Sequence, residues 1–315
     1  MSFTADTKKE LTTLQADKKC CQLAMIAGFI RFAGIITYGS DGQGIKVQTD
    51  NPAVARAYVS LIKDYFGSKS ALTVLEPAKL QKSRQYELRI TPDMNSEGIL
   101  RELGILSVKE GFNIINQHFS SEIIKKRCCK KAMLRGVFLG CGSVTDPKKA
   151  YHLEMSCDSS EAAADLCKLI NTFGLKAKIA TRREKQVVYI KDGEQIKDFL
   201  ALIGASGQYF KYDNAMMTKE MRNNANRITN CDKANADRSV AAAQKQLADI
   251  RLIEEKRGLD YLNPKLKEAA RLRLEHSEMT LDELKDLFEP PLTKSGLNHR
   301  LAKISEIAAV IRKEG

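Results

Sequence analysis

Apolar positions in the first two thirds of the chain switch between a period of three to four and a period of two, and they do so twice in the same order. Residues 20–34 form an apolar stretch ending in glycine, which predicts a helix. Strands are predicted at 35–38 and 44–48, a helix at 53–66, strands around 72–75 and 86–90, and a helix at 97–106. The second pass begins with an apolar helix at 128–142 and continues with strands at 143–145 and 151–156. A helix at 160–173 follows, with Ser159 or Ser160 as cap and Gly174 as stop, then strands at 176–180 and 186–190 and a helix at 194–203. Both passes read αββαββα, and residues before Lys19 read as one further helix.

The opening helices of the two passes align at a constant offset, Cys20 with Cys128 and Gly34 with Gly142, a spacing of 108 residues (128 − 20). Such self-similarity points to a duplicated unit. The glycine-centred helices and the element order resemble the LAGLIDADG homing endonucleases, with Ile26 to Gly34 and Leu134 to Gly142 in the nine motif positions. The resemblance implies two helices packed backbone to backbone, with Ala27, Gly28 and Gly34 facing Gly136, Gly140 and Gly142 across the seam. It also implies two antiparallel sheets forming a saddle for a DNA major groove. In those nucleases the penultimate motif residue of each copy is an acid that holds the catalytic cation. Here the positions are Ala33 and Cys141, and the earlier acidic position is Arg31 in one copy and Leu139 in the other, so no nuclease activity is expected. Asp41 and Asp146 follow the motifs and are the alternative ligands; Asp41-Gly42 and Asp146-Pro147 read as turn caps.

Beyond Phe210 the alternation stops and the pattern is helical. Residues 213–235, rich in asparagine, read as a linker, and residues 237–257 as a helix with Val240, Ala243, Leu247, Ile250 and Ile253 in one stripe, stopped by Gly258. Pro264 starts another helix reaching about Glu275. Thr280-Leu-Asp-Glu283 has the capping-box pattern, Leu281, Leu284, Leu287 and Phe288 face a core, and Glu289-Pro-Pro-Leu292 breaks the helix. In the last helix Leu297, Leu301, Ile304, Ala308 and Ile311 step by four and three. A short helix, a turn and a longer helix with polar residues at its start is the layout of a helix-turn-helix, at about 280–313. Packing without DNA binding is the alternative for this segment. Asn298 and Arg300 are the candidates for base edges, Lys294 and Lys303 for phosphates, and Ser295 and His299 for either.

Charge fits that assignment. Glu278, Asp282, Glu283, Asp286 and Glu289 make the first helix of the pair acidic, whereas Lys294, Arg300, Lys303, Arg312 and Lys313 make the second basic. The whole chain of 315 residues carries a formal charge of +12, which suits a polyanionic partner. No stretch is long and apolar enough for a membrane span, and the start of the chain lacks an export-signal core, so a cytoplasmic protein is expected. The eight cysteines include Cys20-Cys21 and Cys128-Cys129 but no C-x-x-C pair. Adjacent cysteines grip one tetrahedral ion poorly, so buried thiols without a structural metal, and no cofactor, are expected.

The degenerate repeat, the stretch from Asn226-Arg227 to Asn235, and the run Glu289-Pro-Pro-Leu-Thr-Lys-Ser-Gly-Leu-Asn-His-Arg-Leu together resemble the WhiA family from end to end. The resemblance implies an α+β domain at 1–212 (repeats about 1–110 and 111–212), a linker at 213–235 and an all-α domain at 236–315. It implies a nucleoid-associated transcriptional regulator of bacterial cell division, chromosome segregation or sporulation, binding double-stranded DNA. Two other readings stay open: an adaptor whose first domain docks RNA polymerase or a partner regulator, and a residual nuclease.

Overall fold

The computed structural model describes residues 2–75 and 84–314; Met1, residues 76–83 and Gly315 lie outside them. Two compact units divide between Glu220 and Met221. No helix among the described residues is long and apolar enough to cross a membrane.

The first unit opens with α1 (Phe3–Thr12), capped by the Ser2 hydroxyl. The first copy of the repeat is α2 (Lys19–Ala33), β1 (Gly34–Gly39), β2 (Gly42–Thr49), α3 (Pro52–Phe66), β3 (Ala71–Leu75), β4 (Gln85–Ile90) and α4 (Ser96–Glu102). A hairpin of β5 (Leu106–Lys109) and β6 (Phe112–Ile115) leads to the second copy. That copy is α5 (Arg127–Cys141), β7 (Gly142–Val144), β8 (Leu153–Cys157), α6 (Ser160–Asn171), β9 (Lys178–Arg182), β10 (Lys185–Ile190) and α7 (Gly193–Ile203). Each copy has a four-stranded antiparallel sheet of the same topology, β1-β2-β4-β3 and β7-β8-β10-β9. The αββαββα order and the α+β class are those of the sequence pattern. Ser159 is the cap of α6, and its hydroxyl accepts from the Ala162 amide.

The sheets rest on α2 and α5, which cross with almost no space between them. A Cβ on Gly28 would lie 2.4 Å from the Met133 carbonyl oxygen, and one on Gly136 would lie 2.1 Å from that of Met25. These contacts are mates under the duplication, because Met25 and Met133 share the offset of Gly28 and Gly136. Gly140 faces Ala33, with its added Cβ 3.0 Å from that side chain. Gly34 and Gly142 are corrections to the expected seam. They end their helices, and a Cβ there would strike Ile30 or Phe138 of the same helix.

The hairpin β5–β6 was not predicted: its strands are four residues each and Val108, Phe112, Ile114 and Ile115 are all exposed, so no buried alternation marks them. Its ends are held by Arg31, whose guanidinium donates to the carbonyls of Asn116 (2.7 Å) and Gly104 (3.2 Å). The motif position that is acidic in the nucleases is therefore spent here on tying the connection between copies to α2.

The four cysteines of the two adjacent pairs come together in this unit, their Sγ atoms all within 4.8 Å of one another. Treating each pair alone, as the spacing argument does, misses that the duplication places the start of α2 beside the start of α5.

The 52-residue helix α8 (Ser206–Arg257) covers the stretch expected as a linker. No glycine or proline interrupts residues 208–257. Thr218, Thr229 and Ser239 satisfy their hydroxyls on carbonyls one turn earlier instead of breaking the helix. Gly258, at φ +76°, provides the stop.

In the second unit Ile250 and Ile253 of α8 pack with α9 (Pro264–Glu275), α10 (Leu281–Leu284) and α11 (Lys294–Glu314). The core is Leu266, Ala269, Ala270, Leu284, Phe288, Leu297, Leu301, Ile304, Ala308 and Ile311. Thr280 and Glu283 form both arms of the capping box. Two predicted core residues are exposed. Val240 on α8 is exposed, and Leu287 turns outward because α10 gives way after one turn to a 3-10 turn at Lys285–Leu287.

Candidate nucleic-acid interface

The second unit presents a helix-turn-helix. Leu297, Leu301 and Ile304 anchor α11 from below, so its other side is committed to solvent. Ser295, His299 and Lys303 step by four along that side, with Asn298 and Ala302 beside them, and all five are exposed. Lys294 stands at the first turn, where its ammonium meets Asp282 of α10 and holds that carboxyl below its ordinary value. Lys303 pairs loosely with Glu306 at 3.6 Å. Five of the six predicted residues therefore form one exposed polar strip at the N-terminal half of α11.

Arg300 is not on that strip. Its side chain is 20% exposed. The guanidinium lies 5.3 Å over the Phe288 ring and donates to the Glu268 carboxylate (3.3 Å) and the Lys265 carbonyl (3.4 Å). These contacts tie α11 to α9 and to the turn after α10. Arg300→Ala is accordingly expected to lower the stability of the full chain by about 1 kcal/mol, seen as an earlier urea midpoint, while the ratio of affinities for cognate and scrambled duplex stays unchanged.

In the first unit charged and polar side chains of the central strands share the sheet surfaces with exposed apolar ones, among them Ile35, Val74 and Ile179. By register, Lys46 and Gln48 of β2 stand beside Arg89 and Glu87 of β4. On the second sheet Glu154 accepts from Arg182 (3.0 Å) and faces His152 (2.8 Å), with Lys178 and Lys185 exposed nearby. Burial alone would raise the Glu87 carboxyl, but hydrogen bonds from Lys46, Gln48 and Arg89 outweigh it and bring its pKa down to about 2. A depressed folded-state pKa contributes stability that is present above the unfolded value near 4.5 and is lost as pH falls toward 2. Glu87→Gln should therefore cost about 1–2 kcal/mol at neutral pH, and the cost should shrink when unfolding is measured at pH 3.

At the positions of the nuclease acids the structure places no carboxylate. Ala33 packs against Gly140. The Cys141 thiol donates to the Val137 carbonyl and is pushed up to about 12 by burial, with the Lys8 ammonium of α1 opposing that shift. Burial in turn lowers the Lys8 pKa, against the pull of Cys141 and Asp50. Lys8 was not singled out from the sequence, since nothing in the pattern of α1 says that it will face the second motif. Asp146 accepts from the Lys148 amide in its own turn (2.9 Å), and Asp41 is exposed with the Ser40 hydroxyl donating to it. Both aspartates sit in the local turns expected of them.

A duplicated LAGLIDADG-like unit followed by a helix-turn-helix domain defines the class. Family models match in the same order: the WhiA N-terminal LAGLIDADG-like domain over residues 19–106, the WhiA LAGLIDADG-like domain over 130–222, and the WhiA C-terminal HTH domain over 225–308. The chain belongs to the WhiA family. A probable cell division protein WhiA from Alkaliphilus metalliredigens is 41% identical over 98% of each chain, and one from Caldicellulosiruptor saccharolyticus is 40% identical over 100% of this chain and 97% of its own. Among solved structures, full-length DUF199/WhiA from Thermatoga maritima aligns with a TM-score of 0.59 at 25% identity, covering 98% of both chains.

Proposed function

We propose that this protein is a cytoplasmic, nucleoid-associated regulator that binds specific double-stranded DNA sequences and controls genes of cell division, chromosome segregation or sporulation, without cutting DNA. The observation that carries the reading is the exposed strip on α11, held outward by a fully buried apolar side. Asn298 offers the amide that pairs with adenine in a major groove, with Ser295 and His299 beside it. Lys294 and Lys303 take phosphates, Lys294 by releasing Asp282. Arg300, assigned above to packing, supports the helix from beneath.

The absence of cleavage follows from Ala33 and Cys141 in place of cation-binding acids. Supercoiled plasmid incubated with the full-length protein and magnesium or manganese is expected to remain intact. Nicking that vanishes when Asp41 and Asp146 are both changed to alanine would overturn this.

Exposed apolar side chains on α8, Phe210 and Met217 in the first unit and Met221 and Ile228 in the second, favour an additional reading in which the protein docks a partner regulator or RNA polymerase. Truncation after residue 212 tests the role of the first domain. Residual DNA affinity with a shallow salt slope supports an accessory saddle, and no DNA affinity supports the docking role.

A further inference from the structure

The cysteine cluster at the start of α2 and α5 contains none of the residues assigned to DNA contact. Cys20 and Cys21 occupy the first turn of one 15-residue helix, and Cys128 and Cys129 the same places in the first turn of the other. Their four Sγ atoms lie within 4.8 Å of one another, and those of Cys128 and Cys129 are 4.0 Å apart. Four thiolates around one zinc ion at about 2.3 Å stand about 3.8 Å from each other, so the cluster needs to contract by at most about 1 Å. Iron–sulfur clusters spread four thiolates over two or more iron atoms and need a wider separation than this.

The surroundings suit a site of net charge −2. Neither helix has an acidic residue in its first turn, and neither is capped by a side chain, whereas α1, α3, α6 and α7 of the same unit are capped by Ser2, Asn51, Ser159 and Asp192. Two helix N-termini therefore point their positive ends toward the sulfurs. Lys18, Lys19, Lys126 and Arg127 flank them. Cys129 is buried and the other three are half-buried, so the sulfurs are sheltered without being sealed from solvent.

We propose that Cys20, Cys21, Cys128 and Cys129 bind one zinc ion through four thiolates, each giving its proton to solvent, and that the ion staples the N-termini of the two seam helices. The two copies of the duplicated unit contribute equally, so the site exists only when both have folded against each other. An adjacent Cys-Cys pair provides too little reach for a site by itself, and the second pair arrives only through the duplication. Zinc binding is then linked to folding of the first unit and raises its melting temperature with increasing free zinc.

The test uses the full-length protein, purified without oxygen, stripped by a chelator and titrated with cobalt(II). One equivalent is expected to bind with an intense sulfur-to-cobalt band and the visible bands of tetrahedral geometry, and zinc is expected to displace it stoichiometrically. Cys20→Ser and Cys128→Ser should each weaken binding by more than about 100-fold, beyond the loss typical of an outer-shell partner. Cys231→Ser, at an exposed cysteine of the second unit, should leave it unchanged. A wild-type titration without the sulfur-to-cobalt band would overturn the proposal whether or not the variants fold. So would a spectrum that survives replacement of all four cysteines by serine, or a metal-free protein isolated with Cys21 and Cys128 joined as a disulfide.

Discussion

Gly136→Leu is expected to destabilise the first unit by about 3–5 kcal/mol, or to prevent it from folding. The Cβ of any larger residue would sit 2.1 Å from the Met25 carbonyl oxygen and 3.1 Å from the Phe29 amide nitrogen, both backbone atoms of α2. Backbone cannot step aside as a rotamer does, so α2 and α5 would have to separate. Leu134, Val137 and Phe138 on one helix and Ile26, Phe29 and Ile30 on the other are all buried within the same core and would lose contact with it. Gly28→Leu should behave alike, because its Cβ would meet the Met133 carbonyl at 2.4 Å. Gly174→Asn is the control: it sits at φ +85° with nothing within 4 Å of an added Cβ, and asparagine tolerates that backbone, so the cost should stay below about 1 kcal/mol. Thermal and urea unfolding monitored by circular dichroism reads all three. A Gly136→Leu protein melting with the wild type would refute the close seam.

The second large effect concerns recognition. Asn298→Ala is expected to reduce the preference for cognate over scrambled duplex by about 1–3 kcal/mol, roughly 5- to 150-fold, while leaving the salt dependence of binding unchanged. Asn298 is exposed, its side chain makes no hydrogen bond among the described residues, and it follows directly on the buried Leu297, so its loss should not disturb the core. Lys303→Ala should do the reverse, weakening both duplexes alike and reducing the slope of log affinity against log salt by about 1. Competition binding at two or more salt concentrations separates the two outcomes. Equal losses on both duplexes for Asn298→Ala would assign it to phosphate contact.

Much of this architecture is written in local pattern. The match of the opening helices at Cys20 and Cys128 announces both sheets, because the strands and helices of one copy recur in the same order in the other. The capping box at Thr280 and Glu283 and the apolar steps from Leu297 to Ile311 fix α10 and α11 by the same local rules. What escaped depends on contacts distant in the chain. Arg300 falls among polar neighbours in sequence, and only the packing of α9 and Phe288 shows that it points inward. Thr4 and Val144 are separated by most of the first unit, yet α1 docks beside the end of the second motif helix, where the Thr4 hydroxyl bonds to both the amide and the carbonyl of Val144 at 2.9 Å. The asparagines of residues 213–235 suggest turns, yet an unbroken run without glycine or proline keeps them helical. The cysteine cluster was in principle readable, since the alignment that reveals the repeat superposes the two cysteine pairs, and helices packed at homologous glycines bring their homologous starts together.

The central claim is sequence-specific DNA binding without cleavage, and the most direct test is a salt titration of the full-length protein on the duplex upstream of its own gene. A scrambled duplex of the same length and composition runs in parallel with magnesium present, and the DNA is recovered and sized afterwards. A preference for the upstream duplex that persists between about 50 and 200 mM salt, with both DNAs recovered whole, is the predicted result. Equal affinity for the two duplexes, or recovered fragments, would contradict it.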